Sequence, residues 1–564
     1  MSGEPDERAV SGEPEERAVS GEPDESAVEG PAVDAVVVGA GFAGLYMLHR
    51  LRQQGFTARG FEAGGGVGGT WYWNRYPGAR CDIDSMQYSF QFSEELQQEW
   101  RWTERYASQP ELLSYIEHVA DRFELRRDIT FNTMVEQATF SDDTHLWTVN
   151  TINRQGQRES VVARFFLLGS GVLSTANVPA FEGRDEYRGQ TFHTGRWPHD
   201  GVDFSGKRVG VVGTGSSGIQ SIPLIAEEAD HLHVFQRTAN YVVPAQNRPL
   251  DDDEVESIKA DYTGFRARAK ERPAAFLFPF NPTSALAVTD EERRQQFDAQ
   301  WEIGGLPFLG SFGDLLLDAD SNRLVIDYWQ TRVRDVIDDP AVSDLLIPNG
   351  DIFGGKRLCA GTDYYETYNR PDVTLVDSSG GIDRFTPAGI VVAGVEYELD
   401  VVVFATGFDA MTGSVVAMDI AGPTGTTIKE AWSGGAGAYI GMAINGFPNL
   451  FNTQGPGGPG VFVTMVTGIE HQGDWIVDCM SWMRDNGYSR IEATIEAQVA
   501  WQDEVDRAAE PSLRSKCDSW YSGANIPGKH RKFMPYIGGF PAYAGKCSEV
   551  EQGSYLGFDL TKAS

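Results

Sequence analysis

The chain has 564 residues, a net charge of −34 and 41% hydrophobic residues. This length allows several domains with buried cores, and the negative charge argues against nucleic acids and anionic membranes as partners. No apolar run approaches the roughly 20 residues of a membrane span, and nothing near the N-terminus resembles a secretory signal. The five cysteines are dispersed, which argues against disulfides or a zinc site. Composition therefore predicts a soluble, cytoplasmic enzyme without a metal.

Residues 2–28 contain an acidic nine-residue repeat three times. Each copy contains a proline, and none contains an aromatic residue. Such a segment cannot bury enough apolar area to offset the entropy lost on ordering. We therefore predict a disordered tail over residues 1–30, with a docking segment for a partner as the alternative.

Regular structure is expected from Asp34, where a βαβ pattern predicts a first nucleotide site. A short strand leads into a G-x-G-x-x-G loop at Gly39, Gly41 and Gly44, and a second strand ends at Glu62. In such a loop the glycines allow a tight turn, close approach of the backbone to a pyrophosphate, and close packing of helix on strand. The helix N-terminus favours phosphate, and Glu62 is placed to accept hydrogen bonds from a ribose. This loop alone leaves FAD and NAD open.

A second unit of the same kind begins with a strand over residues 208–212. Its candidate binding residues are Gly213, Gly215, Ser216, Gly218, Arg237 and Thr238. An NAD site has an acid at the end of the following strand, where this chain has Arg237. A guanidinium can bind a 2′-phosphate through charge-assisted hydrogen bonds. The pattern therefore favours NADPH over NADH, with a solvated strand-end cation as the alternative.

Two aromatic-rich segments accompany these loops: residues 68–82, the aromatic segment, and residues 187–198, the fingerprint. Their matching positions are Gly69, Thr70, Trp71, Asp82, Gly189, His193, Trp197 and Pro198. The aromatic segment resembles one signature of the flavin-dependent Baeyer–Villiger monooxygenases at every specified position. The fingerprint resembles another, F-x-G-x-x-x-H-x-x-x-W-P, except that Tyr187 replaces the first Phe. Residues from about 34 to 555 are similar to the branch of steroid, large-ring-ketone and phenylacetone oxygenases, which includes sesquiterpenoid lactone-forming enzymes.

The resemblance and the two βαβ units together predict an α/β fold with two Rossmann-type dinucleotide-binding domains. We assign residues 31–170 and 390–564 to the FAD domain and residues 171–389 to the NADP domain. A charged stretch at about 250–345 has no dinucleotide pattern and predicts a helical insertion in the second domain. A further strand is expected within residues 399–409.

The resemblance implies that NADPH reduces FAD and that O₂ then forms a flavin C4a-peroxide, which oxidises a ketone to a lactone or ester. In the family an arginine keeps this peroxide deprotonated, and Arg357 is at the matching position. Arginine suits the role because it does not lose its proton. By the same resemblance Asp82 pairs with Arg357, and Lys356 binds the 2′-phosphate.

Further positions follow from the resemblance. Trp520, in a loop over residues 516–528, would close over the bound nucleotide, and residues 455–465 would form the pocket loop. Its predicted substrate-facing residues are Gly460, Val461, Phe462 and Met465. His193 would transmit domain rotation, with acid–base catalysis and simple packing as alternatives. We expect a bulky cyclic ketone and O₂ as the partners, terpenoid or antibiotic biosynthesis as a candidate setting, and a monomer or homodimer.

Three other classes compete with this interpretation. A flavin monooxygenase that oxidises nitrogen or sulfur has Phe or Tyr where this chain has Trp197-Pro198. A disulfide reductase needs a cysteine pair soon after the first loop, where only Cys81 is present. A non-catalytic flavin-binding scaffold would bind a flavin that NADPH cannot reduce.

Overall fold

The computed structural model describes residues 33–350 and 352–562, so the tail predicted over residues 1–30 lies outside the described residues. Within them, the chain forms two largely parallel sheets that each carry a βαβ unit, as predicted. The first sheet has eight strands, and one of them, Leu450–Asn452, pairs with Arg158–Leu168 off the main path. The order along that path is Asp419–Ala421, Thr133–Ser141, Leu146–Asn153, Arg158–Leu168, Val33–Val38, Ala58–Phe61 and Ile129–Thr130.

The first βαβ unit forms because a buried, valine-rich strand is followed by a helix whose first two turns are buried on all sides. Val33–Val38 runs parallel to Ala58–Phe61, and the helix Phe42–Gln53 connects them. The helix begins within the glycine loop, directly after Gly41. Early entry into the helix places the N–H groups of its first turn at the loop, where a phosphate can reach them.

C-terminal residues complete the first unit. The long helix Met465–Asn486 packs along Phe42–Gln53. Gly473 permits this approach, because a Cβ there would lie 2.7 Å from the ring of Tyr46. The first unit is therefore built from the two ends of the described chain.

The second sheet has five strands among the described residues. Their order is Val373–Asp377, His231–Gln236, Arg208–Val212, Val401–Phe404 and Gln190–His193. The predicted boundary at residue 390 was wrong for Val401–Phe404, which pairs with Arg208–Val212. This strand is a fully buried valine run, the pattern of a central parallel strand, and such a run does not reveal which sheet it joins. The second unit therefore extends to about residue 404.

The predicted insertion is helical but divides between the two units. Its helices are Asp252–Ala260, Tyr262–Lys270, Asp290–Ile303, Ala319–Val336 and Pro340–Leu346. The first two pack on the first unit, where the Tyr262 hydroxyl donates to the Met86 carbonyl (2.8 Å). The others pack on the second unit, where the buried Trp329 indole donates to the Val242 carbonyl (2.7 Å). The insertion therefore bridges both units.

The remaining elements surround these sheets. The other helices are Thr70–Trp73, Glu94–Glu99, Gln109–Arg122, Ser216–Glu228, Gly413–Val416, Ile428–Ala431, Ile495–Ala509 and Phe540–Gln552. Three small sheets pair Val242–Pro244 with Cys359–Gly361, Arg384–Phe385 with Gly389–Val392 and Val395–Glu398, and Tyr488–Ala493 with Phe558–Lys562. Among the described helices, none has the length and apolarity that crossing a bilayer requires.

Candidate active site

The two glycine loops, residues 39–44 and 213–218, have the same local geometry. Gly39 and Gly213 have φ angles of +95° and +106°, a region that side chains rarely adopt. A Cβ on Gly44 would lie 1.8 Å from the Gly39 carbonyl oxygen, and one on Gly218 would lie 2.3 Å from that of Gly213. Both loops therefore require glycine at their first and third positions.

Each loop opens onto a helix N-terminus that has no side-chain cap. The helices Phe42–Gln53 and Ser216–Glu228 have Gly41 and Gly215 as their N-caps. Neither glycine has a side chain that could accept a hydrogen bond from the first turn. A Cβ on Gly215 would meet no atom within 4 Å. The N–H groups of both helices are therefore accessible to an anion, which fits the pyrophosphate of a dinucleotide.

The strands that follow the loops end differently. Glu62 is buried, and its carboxylate accepts from the backbone N–H groups of Ala40 (2.8 Å) and Gly64 (2.7 Å). Burial raises the pKa of Glu62, and these two donors oppose the rise. Arg237 is exposed and forms no ion pair with any other described residue. The neighbouring Thr238, also exposed, accepts a hydrogen bond from the Thr214 hydroxyl at its carbonyl (3.1 Å).

The aromatic segment lies directly on the first loop. Gly69, with φ +52°, is so close that a Cβ there would lie 2.9 Å from the Cα of Gly41. Thr70 is exposed beside it, whereas Trp71 is buried and its ring packs edge-on against Tyr88. A group bound at the first loop would therefore be bordered by this segment along one side.

Arg357 and Asp82 form a bidentate ion pair between the second and first units. Arg357 Nε is 2.6 Å from one Asp82 carboxylate oxygen, and Nη2 is 2.7 Å from the other. Arg357 Nη1 also donates to the Val461 carbonyl in the pocket loop (3.2 Å). Burial opposes the charge of the guanidinium, but Asp82 more than offsets this, so the pKa of Arg357 lies above its ordinary value. The site therefore contains a permanent, fixed cation.

Lys356 lies beside Arg357 and is partly exposed. The strand Cys359–Gly361, three residues further on, runs parallel to Val242–Pro244, which follows Arg237 by five residues. Lys356 and Arg237 therefore both precede the same end of these two parallel strands. Ser216, at the start of the second helix, is hydrogen-bonded to Cys359 (3.3 Å between Oγ and Sγ), which ties the second loop to the segment that carries Arg357.

The pocket loop forms an apolar wall beside the ion pair. Val461, Phe462 and Met465 are partly exposed, whereas Gly460 is buried with φ +49°. The ring of Phe462 packs on Tyr521 at a centroid distance of 4.7 Å. Of the four predicted pocket residues, Val461 contacts Arg357 directly through its carbonyl, whereas Phe462 packs on Tyr521.

Residues 513–534, here called the C-terminal loop, contact this wall from the other side. Trp520 is partly exposed, and its ring lies 4.3 Å from that of Tyr521. Arg514 donates to the Gly354 carbonyl (3.0 Å), and its guanidinium lies 4.8 Å from the centre of the Phe462 ring. The structure thus places Trp520 in a segment that rests on the loop before Arg357.

His193 of the fingerprint lies where the second sheet meets the turn at residues 405–410. Its Nδ1 accepts from the Gly195 N–H (2.9 Å), and its ring packs edge-on against Phe408. Burial, together with the nearby Arg196, lowers the pKa of His193 to about 4, so it is neutral near pH 7. These contacts lie within the second unit and the turn that follows its strand Val401–Phe404, and they give no support to acid–base catalysis. The role of His193 in domain rotation stays a prediction.

The rest of the fingerprint explains its tolerance of Tyr187. The Tyr187 hydroxyl donates to the Leu399 carbonyl (3.0 Å), so the hydroxyl absent from Phe has a partner. Gly189 leaves room for that ring, because a Cβ there would lie 2.2 Å from the hydroxyl. Trp197 is buried, and its backbone N–H donates to the Trp73 carbonyl (3.3 Å); Pro198 follows it, half-buried. The fingerprint therefore links the second sheet to the aromatic segment.

Sequence reasoning missed four residues that attach the C-terminal loop: Arg514, Asn525, Lys529 and, in the 405–410 turn, Asp409. Lys529 forms an ion pair with Asp409, and Asn525 donates to the Phe408 carbonyl. Asp409 and Asn525 lie in stretches that were predicted as a strand and a mobile loop, whereas Arg514 and Lys529 lie just outside the predicted loop. None of the four gives a signal in the sequence by itself, because only the fold shows its partner.

Comparison with known proteins agrees with this geometry. Residues 32–250 match the model of the flavin-binding monooxygenase-like family. A Baeyer–Villiger monooxygenase from Pseudooceanicola batsensis is 43% identical over 527 residues, which cover 93% of this chain and 95% of that protein. A phenazine N-monooxygenase from Lysobacter antibioticus is 39% identical over 93% of this chain and 97% of its own. The solved structure of an oxidized steroid monooxygenase bound to NADP has a TM-score of 0.89 at 49% identity, and covers 94% of this chain and 100% of that one.

Two Rossmann-type units joined by the fingerprint and by a partly buried Arg–Asp pair are the fold and site of a flavin monooxygenase. Within that class, the chain belongs to the flavin-dependent Baeyer–Villiger monooxygenase family. The predicted α/β class, the enzyme class and the cofactors FAD and NADPH are confirmed.

Proposed function

We propose that this enzyme converts a bulky cyclic ketone into a lactone, with NADPH and O₂ as co-substrates, and that Arg357 is its central catalytic residue. The observation that carries the proposal is the position of the Arg357 guanidinium. It is bound at once to Asp82 of the first unit and to the Val461 carbonyl of the pocket loop.

The two loops fit the two cofactors. We assign to FAD the residues Gly39, Gly41, Gly44, Glu62, Gly69, Thr70, Trp71 and Asp82. We assign to NADPH the residues Gly213, Gly215, Ser216, Gly218, Arg237, Thr238, Lys356 and Trp520. When bound, FAD accepts a hydride from NADPH and delivers one atom of O₂ to the substrate. The exposed, unpaired Arg237 supports NADPH, because a 2′-phosphate is the partner that it lacks.

Arg357 would act by charge and position. Three of its five N–H groups are engaged by Asp82 and Val461, so two remain for the flavin and the substrate oxygen. A fixed cation in a site with little water stabilises the negative charge that develops on oxygen. Asp82 holds the guanidinium plane through two hydrogen bonds, so the cation does not have to reorient as the reaction proceeds.

The pocket supports a bulky, apolar substrate. Phe462 is a partly exposed aromatic surface supported by the buried rings of Tyr521 and Phe533, and Gly460 adds no side chain beside it. Such a surface buries apolar area and offers a ring system no hydrogen-bond partner. The similar protein named a steroid monooxygenase supports a polycyclic ketone, and terpenoid ketones from antibiotic pathways belong to the same chemical class.

N-oxygenation is a second candidate, because one similar protein is named a phenazine N-monooxygenase. That relative is 39% identical along almost its whole length, so the shared framework is compatible with attack on nitrogen. A substrate panel must therefore contain aromatic N-heterocycles as well as cyclic and polycyclic ketones.

The test compares Arg357→Ala with a matched control, Arg370→Ala. Arg370 also forms a bidentate pair with an aspartate, Asp372, and a third bond to a backbone carbonyl, that of Ala226. With NADPH and air, the parent enzyme and Arg370→Ala are expected to give lactones from the ketone panel. Arg357→Ala is expected to bind FAD and to lose at least about a thousandfold in oxygenated product, the effect of removing a main electrostatic stabiliser. Lactone formation at the parent rate by Arg357→Ala would contradict the proposal, and products only from N-heterocycles would favour the second candidate.

A further inference from the structure

The 405–410 turn lies between the fingerprint and the C-terminal loop. It directly follows the strand Val401–Phe404 of the second sheet. On the fingerprint side, the Phe408 ring packs on His193 and would lie 2.5 Å from a Cβ at Gly195. The Thr406 hydroxyl donates to the Asn177 carbonyl (2.5 Å). The position of the turn is therefore fixed by the second unit.

On its other side, the turn holds the C-terminal loop through three polar contacts. Lys529 Nζ is 2.5 Å from Asp409 Oδ1 and donates to the Ala410 carbonyl (2.8 Å). Asn525 Nδ2 donates to the Phe408 carbonyl (2.8 Å). The Lys529 and Asp409 side chains are only 16% and 25% exposed. Partial burial means that salt screens this pair less than it screens an exposed surface pair.

The C-terminal loop is attached on both sides of Trp520. Arg514, before Trp520 in the chain, attaches the C-terminal loop to the Gly354 carbonyl. Asn525 and Lys529, after Trp520, attach it to the turn. Trp520 therefore lies between two anchored ends. A second cation, Arg531, pairs with Asp518 inside the C-terminal loop itself and does not reach the turn.

We propose that the Lys529–Asp409 pair is a positioning pair that latches the C-terminal loop to the second unit and so holds Trp520 over the bound NADPH. Because the same turn packs on His193, movement of the second unit and release of the loop are coupled through this pair. The inference rests on the proposed role of Trp520 in binding NADPH. A consequence is that weakening the pair releases NADP⁺ early, before the oxygen atom has been transferred.

The experiment uses the FAD-loaded enzyme and five variants: Lys529→Met, Lys529→Arg, Asp409→Asn, the double variant Lys529→Met/Asp409→Asn, and Arg531→Met as the control. Stopped-flow measures NADP⁺ release, and the share of NADPH oxidation that ends as hydrogen peroxide is measured with a ketone substrate. Lys529→Met and Asp409→Asn are each expected to release NADP⁺ about tenfold faster, the effect of one charge-assisted contact. In both variants a larger share of NADPH oxidation should end as hydrogen peroxide. The factor by which KM for NADPH rises should exceed the factor by which kcat falls.

Three results separate a latch from a merely structural role. Lys529→Arg should restore NADP⁺ retention, because it restores the ion pair. The double variant should release NADP⁺ no faster than Lys529→Met, since that change alone already removes both the ion pair and the bond to the Ala410 carbonyl. Arg531→Met should behave like the parent enzyme.

Normal NADP⁺ retention by both Lys529→Met and Asp409→Asn would overturn the latch. Trp520→Ala then distinguishes the two levels of the argument. If Trp520→Ala weakens retention while the pair variants do not, only the latch fails. If Trp520→Ala also retains NADP⁺ normally, the proposed closure of the C-terminal loop fails with it.

Discussion

The two nucleotide loops are nearly alike, but the strand ends that follow them are opposites. Both loops turn through a glycine with positive φ and exclude a side chain at the third glycine. After the first loop comes the buried Glu62, already bonded to two backbone N–H groups, and after the second comes the exposed Arg237. The loop therefore recognises what all dinucleotides share, the pyrophosphate, and the strand end selects among them.

The segments that would cover a nucleotide bound at each loop also differ. The aromatic segment follows the first loop within its own unit and touches Gly41 directly. The C-terminal loop is distant in sequence from the second loop and is held by a few polar contacts to Gly354 and to the 405–410 turn. A cover built into its own unit suits a resident cofactor, FAD. A cover held by separable contacts suits a nucleotide that must enter and leave, NADPH.

The largest effect is expected when the third glycine of either loop gains a methyl group. Gly44→Ala should abolish FAD binding, because the new Cβ would overlap the Gly39 carbonyl. Gly218→Ala should keep the flavin but raise KM for NADPH at least about a hundredfold, since the loop must shift from its phosphate-binding geometry. Flavin absorbance after purification and anaerobic reduction by NADPH measure the two losses. A yellow Gly44→Ala enzyme with normal reduction would show that the loops are not equivalent.

A smaller effect should appear at the strand end. Arg237→Ala should raise KM for NADPH at least about tenfold and leave KM for NADH nearly unchanged, because only NADPH carries the 2′-phosphate. Steady-state kinetics with both nucleotides measures the ratio. Arg323→Ala is the control, since Arg323 is an exposed arginine in the insertion. An unchanged ratio in Arg237→Ala would assign the discrimination to another residue.

The smallest effect concerns His193, which packs on the 405–410 turn. Unfolded His193 gains a proton near pH 6.5, but the folded state does so only near a pKa of about 4. Acid therefore favours unfolding, so this loss of stability begins below about pH 6.5 and is complete near pH 4. At pH 5 protonation of His193 in the unfolded state lowers the free energy of unfolding by about 2 kcal/mol.

Replacing His193 by Asn, whose side-chain oxygen can accept from the Gly195 N–H, should remove this contribution. The thermal unfolding midpoint should differ between pH 7.5 and pH 5 by a smaller gap in His193→Asn than in the parent enzyme. The gap should narrow without closing, because His49, His233 and His471 also have pKa values lowered to about 4 by burial. His118→Gln serves as the control, since His118 is exposed. An equal gap in His193→Asn and the parent enzyme would refute the linkage.

Much of the fold could be predicted, because its strongest elements have local signals. The strand over residues 208–212 was predicted with the bounds observed, since it is a largely apolar run that ends at the second glycine loop. The strand Val401–Phe404 was predicted but placed in the wrong domain. Its composition specifies burial, whereas its sheet depends on pairing with residues almost 200 positions earlier.

The residues of the candidate site also divide into those with a local sequence signal and those without one. The glycines, Asp82 and Arg357 belong to motifs, so they could be found before any contact was known. The Val461 carbonyl could not, because every residue has one and only the fold selects it. The Lys529–Asp409 pair joins residues 120 positions apart in the chain, and a single lysine or aspartate in a loop is ordinarily a solvated charge.

Arg357 meets the pocket loop through the main chain, since its partner is the carbonyl oxygen of Val461. Any amino acid supplies that oxygen, so the side chains at 461 and 462 can be exchanged while the cation keeps its support. The reactive centre is thereby insulated from the shape of the pocket. Such insulation allows one framework to evolve toward many substrates, and it makes these two positions the natural targets for redesigning which ketone is accepted.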